Sequence, residues 1–241
     1  MRERAAGRIL RSMASSTTTT ADPGSERSRS DFPNLHLFEH PLIQHKLTQL
    51  RDKHTPVREF RALIAEISAL MLYEATRTFP ADTIEVETPL RVARGTRISA
   101  PITLCPVLRA GLAMSHGILE LMPEARVGHI GLYRNEETLE PRMYLSKLPD
   151  DLDRGPVVLV DPMLATGGSA AKAATLLREA GATDIRFLCI VAVPEGVGNF
   201  RQKHPEVPIY AAAMDERLDE NGYILPGLGD AGDRAFGTTH D

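Results

Sequence analysis

Cysteine is scarce in this chain of 241 residues, which has two, Cys105 and Cys189. Each sits in an apolar, strand-like run, which reads as a buried, reduced thiol of a cytoplasmic protein rather than as half of a disulfide or a metal ligand. Long apolar runs are missing as well. None approaches the roughly 20 residues that cross a bilayer, so neither a transmembrane helix nor a membrane partner is expected. Positive charge is also lacking over most of the length. The net charge is −4, yet residues 1–30 hold six arginines against three acids, a balance of +3, so the remainder carries −4 minus +3, or −7. A body that acidic is not expected to bind nucleic acid, where affinity comes from neutralising phosphates. Any polyanionic ligand has to be held by a local site.

What is present divides the chain at about residue 31. Residues 1–31 are rich in Ser, Thr and Arg and have almost no apolar periodicity. Such a composition does not repay its ordering entropy, and a disordered extension is expected. An Arg- and Ser-rich opening also fits an organelle transit peptide, against which Glu3 and the short apolar content count, and Met13 is a second candidate start. Residues 32–241 read as one domain. His40-Pro41 opens a helical pattern at Leu42, Ile43, Leu47 and Leu50. Thr55-Pro56 opens a second, Thr55 as N-cap and Pro56 at the first helical position, with a stripe from Phe60 to Met71 at steps of three and four. From residue 82 short apolar strands alternate with helices. Strands are expected near 101–106, 126–133, 156–160, 185–192 and 207–212, and helices near 112–122, 168–180 and 195–203. Uninterrupted apolar strands separated by helices imply an α/β protein with a parallel sheet covered on both faces.

The sharpest local signal is Val157-Val158-Leu159-Val160-Asp161-Pro162-Met163-Leu164-Ala165-Thr166-Gly167-Gly168-Ser169, followed by the helical AAKAATLLREAG. A buried strand ends in an acid, a loop with adjacent glycines follows, and a helix begins. Glycines let backbone N–H groups approach a ligand, and the helix start adds unpaired donors and partial positive charge, a seat for phosphate. Thr166 and Ser169 add hydroxyl donors. The loop lacks the lysine of a P-loop and the spacing of a dinucleotide fingerprint, so ATP and NAD fit poorly. Asp161 would repel a phosphate; its partners would be ribose hydroxyls or a metal, unless it only caps the turn.

The run VDPMLATGGS resembles the signature with which type I phosphoribosyltransferases bind phosphoribosyl pyrophosphate (PRPP). Most of that superfamily has a second acid where Pro162 stands; the proline variant is that of the uracil phosphoribosyltransferases. Four further stretches agree: PVLRAG around Arg109, YRNEETLEP around Arg134, PEG at residues 194–196, and the carboxyl-end run NGYILPGLGDAGDRAFGT. The likeness covers about residues 38–238. It implies a parallel sheet flanked by helices, an N-terminal helical segment, a β-arm flap and a C-terminal hood over the base. It implies PRPP contacts from Arg109, Arg134, Asp161, Pro162, Met163, Leu164, Ala165, Thr166, Gly167, Gly168, Ser169 and Asp230. Uracil would be met by Ile224 and by the backbone of Gly229, Asp230 and Ala231. Arg109, Arg134 and Asp230 would serve the chemistry, with Mg²⁺ as cofactor organised by Asp230 through water.

The residues permit plainer readings. Arg109 could be paired with a nearby acid, residues 133–144 could be a solvated charge run, and the five glycines between Gly222 and Gly237 could make an ordinary loop. The function that the resemblance implies is conversion of uracil and PRPP to UMP and diphosphate, in pyrimidine salvage. The alternatives are a PRPP-sensing pyrimidine regulator of the same fold, which the acidic body opposes, and a purine or orotate phosphoribosyltransferase. The family further suggests a homo-oligomer, and GTP activates some of its members; no stretch of this sequence marks a GTP site.

Overall fold

The computed structural model describes residues 32–134 and 141–238, the side chain of Arg134 excepted. The expected extension over 1–31 and the tip of the expected flap, 135–140, lie outside the described residues.

The chain enters through a short strand, β1 (Leu35–Leu37), that no periodicity marks, and continues into α1 (Pro41–Arg51) and α2 (Val57–Ala75). His40 caps α1, its Nδ1 accepting the Leu42 N–H at 3.2 Å, with Pro41 in the first turn. The expected cap of α2 is corrected. Pro56, with extended backbone, is the N-cap residue, and the Thr55 hydroxyl donates instead to Gln49 O at 2.7 Å. Carbonyls of the last turn of a helix lack intrahelical partners, and Thr55 finds one at the end of α1 before it could reach forward.

Two strands that were not expected as such, β2 (Ala81–Glu87) and β3 (Val92–Ile98), form a separate antiparallel hairpin, mostly exposed. Then follow β4 (Thr103–Leu108), α3 (Leu112–Leu121), β5 (Arg126–Val127), β6 (His129–Arg134), β7 (Pro141–Lys147) and β8 (Val157–Val160). The second half contains β9 (Met163–Leu164), α4 (Gly168–Glu179), β10 (Ile185–Ala192), α5 (Pro194–Lys203), β11 (Ile209–Met214), β12 (Arg217–Leu218), β13 (Ile224–Leu225) and α6 (Ala231–Phe236). The expected strand over 126–133 is split at Gly128, and the last expected strand runs two residues later.

One sheet has the order β1-β11-β10-β8-β4-β6-β7, with β5 on β4 and β9 on β10. All its pairings are parallel except that of β6 with β7, which makes the base of the expected flap a hairpin. Every residue of β8 and β10 is buried, as continuous apolar runs require in a sheet covered on both sides. Phe60, Ile64, Met71, Met114 and Ile118 cover one face, and Ala170, Ala174, Leu177, Val197 and Phe200 cover the other. From β4 the chain moves through α3 to one side of the sheet; from β8 it moves through α4 to the other. The strand order therefore reverses between β4 and β8, and such a reversal opens a crevice at the carboxyl ends of the two strands.

Candidate active site

Both strand-end loops open into that crevice. β4 and β8 are neighbours, Pro106 opposite Val160, so Arg109 and Asp161 emerge side by side. Gly111 allows the first loop to fold back over the second strand: a Cβ there would lie 2.5 Å from Val160 O. Asp161 is half-buried, and its Oδ1 accepts the Met163 N–H at 3.3 Å. Burial pushes its carboxyl up to about 7. A carboxyl raised in this way favours partners that stabilise its charged form, a cation or hydroxyl donors.

The loop from Asp161 to Gly167 is tied down from behind. The Pro162 carbonyl accepts from Ile190 and Val191, and β9 pairs with β10. Gly167 has φ +78, and a Cβ on it would sit 2.5 Å from Gly196 O, while a Cβ on Gly196 would sit 2.2 Å from Ala165 O. The PEG stretch thus lets α5 press directly on the loop, and Asn199 of α5 donates to Thr166 O at 3.0 Å. No side chain among the described residues caps α4. Its first N–H groups face the loop, the arrangement expected of a phosphate seat.

A hood from the carboxyl end closes the other side. After β11, Asp215 binds Arg51 of α1 through both oxygens, at 2.6 and 2.8 Å, and also accepts the Gly227 N–H at 2.9 Å; Arg51 in turn donates to Gly227 O. Arg234 donates to Leu228 O and to Asp52 O and lies 4.2 Å over the Phe60 ring. These ties hold the glycine-rich loop against α1 and α2. Asp230 caps α6, its Oδ1 accepting the Asp233 N–H at 2.8 Å. Because the Asp215 side chain is 4% exposed, removing its carboxylate strands the Arg51 charge. Asp215→Ala is expected to cost about 3 kcal/mol of folding free energy, measurable by urea unfolding; a loss under about 1 kcal/mol would show the network to be idle.

Arg109, Asp161, Thr166, Ser169 and Asp230 line one cleft of about 280 Å³, with Met163, Leu164, Ala165 and Gly167. A second cleft of about 240 Å³ is lined by Ile224, Tyr223, Asn221 and Gly222. Met163, Ala165 and Asp230 belong to both, so the two clefts share a wall. Pro162, Gly168, Gly229 and Ala231 flank the lining residues in the chain without lining either cleft; Pro162 and Ala231 are buried, Gly168 is half-buried, and Gly229 is exposed with φ +69. The Arg134 side chain lies outside the described residues. Arg109 does pair with an acid, Asp233, at 3.1 Å, but it also lines the cleft, so the plain reading and the functional one hold together. Arg51, Asp215, Asn199 and Asp233 had no sequence signal, since each acts through a partner distant in the chain. Neither cysteine is in a disulfide. Burial pushes Cys105 up to about 12, and burial together with Asp161 raises Cys189, so both thiols stay protonated. Among the described residues no three His, Cys, Asp or Glu side chains gather as a metal site, and no helix is long and apolar enough to cross a membrane.

The chain matches the family model for uracil phosphoribosyltransferase over residues 37–238. It is 57% identical over 203 residues to the uracil phosphoribosyltransferase of Dictyoglomus thermophilum, covering 84% of this chain and 98% of that one. To the enzyme of the same name from Bacillus pumilus it is 54% identical over 205 residues, 85% of this chain and 98% of the other. The solved structure of the AQ2163 protein from Aquifex aeolicus superposes with a TM-score of 0.82 at 37% identity, over 86% of this chain and all of that one. The Asp161–Gly167 loop, the Arg109 loop and the glycine-rich hood meet in one crevice, and by the family model and these relatives the chain belongs to the uracil phosphoribosyltransferase family, transferases of pyrimidine salvage.

Proposed function

We propose that the two clefts hold PRPP and uracil next to each other along the wall they share, formed by Met163, Ala165 and Asp230. That shared wall is the observation that carries the assignment of roles. In the larger cleft the loop over 165–169 and the start of α4 take the 5′-phosphate, Asp161 accepts from the ribose hydroxyls, and Arg109 faces the pyrophosphate. In the smaller cleft Ile224 packs on the flat base, and the backbone of Gly229, Asp230 and Ala231 matches its alternating donors and acceptors. N1 of uracil loses its proton and bonds to C1′, while the C1′–O bond breaks and pyrophosphate leaves with the electron pair. Charge grows on the leaving group and on the ribosyl centre, so positioning and fixed charges supply the catalysis. Arg134 is assigned to the same leaving group from the flap.

Asp230 would hold Mg²⁺ through water, and the bound ion would add positive charge at the pyrophosphate. One carboxylate at a shared wall suits a cation that brings phosphate and water ligands of its own. The single domain over 32–241, a cytoplasmic location, activation by GTP and self-association complete the reading. The last is supported by Val86, Leu90, Val92 and Ile98, exposed on or at the turn of the β2–β3 hairpin. Purified protein offered PRPP and Mg²⁺ with uracil, cytosine, hypoxanthine or orotate should consume uracil alone, faster with GTP, at a mass by light scattering above one chain. Equal turnover of a second base would overturn the base-pocket assignment. A rate indifferent to GTP, or a monomer, would remove those two parts.

A further inference from the structure

The guanidinium of Arg109 is joined to the hood by one ion pair, its Nη2 lying 3.1 Å from Oδ1 of Asp233 in α6. Asp233 is itself fixed. Its N–H donates to Asp230 Oδ1, its Oδ1 accepts the Thr238 hydroxyl at 2.6 Å, and its carbonyl accepts from Gly237 and Thr238. The Arg109 side chain, by contrast, is 60% exposed. Arg109 lines the larger cleft, while Asp233 is not among the residues that line it. An ion pair this exposed adds little to folding. What it does is restrict a long side chain that would otherwise lose its rotamer freedom only on meeting a ligand. A guanidinium has five N–H donors, so binding Asp233 leaves most of them for phosphate oxygens.

We propose that Asp233 is a positioning residue that holds the Arg109 guanidinium ready for the pyrophosphate of PRPP. The inference rests on the assignment of Arg109 to that pyrophosphate. Asp233→Asn is expected to raise KM for PRPP about tenfold while kcat and KM for uracil stay within about twofold. In an Arg109→Ala background the same change should add less than about twofold, because the guanidinium that Asp233 is proposed to place is then gone. If Asp233→Asn disturbs folding, Asp233→Glu and Asp233→Gln replace it as a pair of equal length differing in charge, and only Glu should approach the parent KM. Full additivity of Asp233→Asn with Arg109→Ala, or an unchanged PRPP KM, would sink this inference alone. Unchanged PRPP kinetics in Arg109→Ala would sink the Arg109 assignment, and the inference with it.

Discussion

Arg109→Ala should lower kcat/KM for PRPP by about 10²–10³, the loss typical of removing one preorganised donor from developing negative charge. The residue sits at the carboxyl end of β4, beside the aspartate that ends β8, on the wall of the larger cleft. Pyrophosphate is already charged in the ground state, so part of the loss should appear as a raised KM; charge gained as the bond breaks should lower kcat as well. Lysine at this position should restore only part of the rate, because a point charge does not reproduce the planar fork. Steady-state kinetics with PRPP varied at saturating uracil would separate the two effects. PRPP kinetics like those of the parent would remove Arg109 from the site.

Asp161→Asn should have two effects of opposite sign. Activity should fall by at least about 10²-fold, because an amide cannot replace a carboxylate that accepts from two hydroxyls. Stability should rise. The carboxyl's folded value of about 7 lies above the 3.8 of an exposed aspartate. A raised acid leaves stability intact below the unfolded value and removes it as pH climbs through the folded one. The gap in unfolding temperature between Asp161→Asn and the parent should therefore open between about pH 4 and pH 7 and stay level above, reaching several degrees at pH 8. Ribose hydroxyls stabilise the ionised form, so PRPP should also bind the parent more weakly as pH falls from 8 to 6. PRPP phosphates titrate in the same range, and the asparagine variant, which lacks only the protein's share, is the control. A parent less stable at pH 4 than at pH 8 relative to the variant would contradict the assigned burial of Asp161.

Much of the candidate site was legible because its parts are consecutive. A strand end, an acid, a glycine turn and a helix start follow one another from Val157 to Ser169, and each is a local property of the backbone. Arg109 after an apolar run and the glycines of the hood were legible on the same ground. The helices of the body and the buried strands were also readable, since burial imposes a period on the sequence. The β2–β3 hairpin was not, because little of it is buried and no core compels its pattern to stand out. Thr55 was misplaced because its hydroxyl can either accept from the first N–H groups of α2 or donate back to a carbonyl of α1, and only the turn after α1 decides between them.

Tertiary structure alone decided which distant residues meet. Arg109 and Asp233 are 124 positions apart, Arg51 and Asp215 are 164 apart, and Thr166 and Asn199 are 33 apart. No local rule selects those partners, because each contact depends on strand order and on how the hood folds back. The raised carboxyl of Asp161 has the same origin: the residue type gives the ordinary value, and the packing around β8 and β10 sets the departure. The sequence by itself determined the chemistry available at each loop; the reversal of strand order between β4 and β8 placed that chemistry around one crevice.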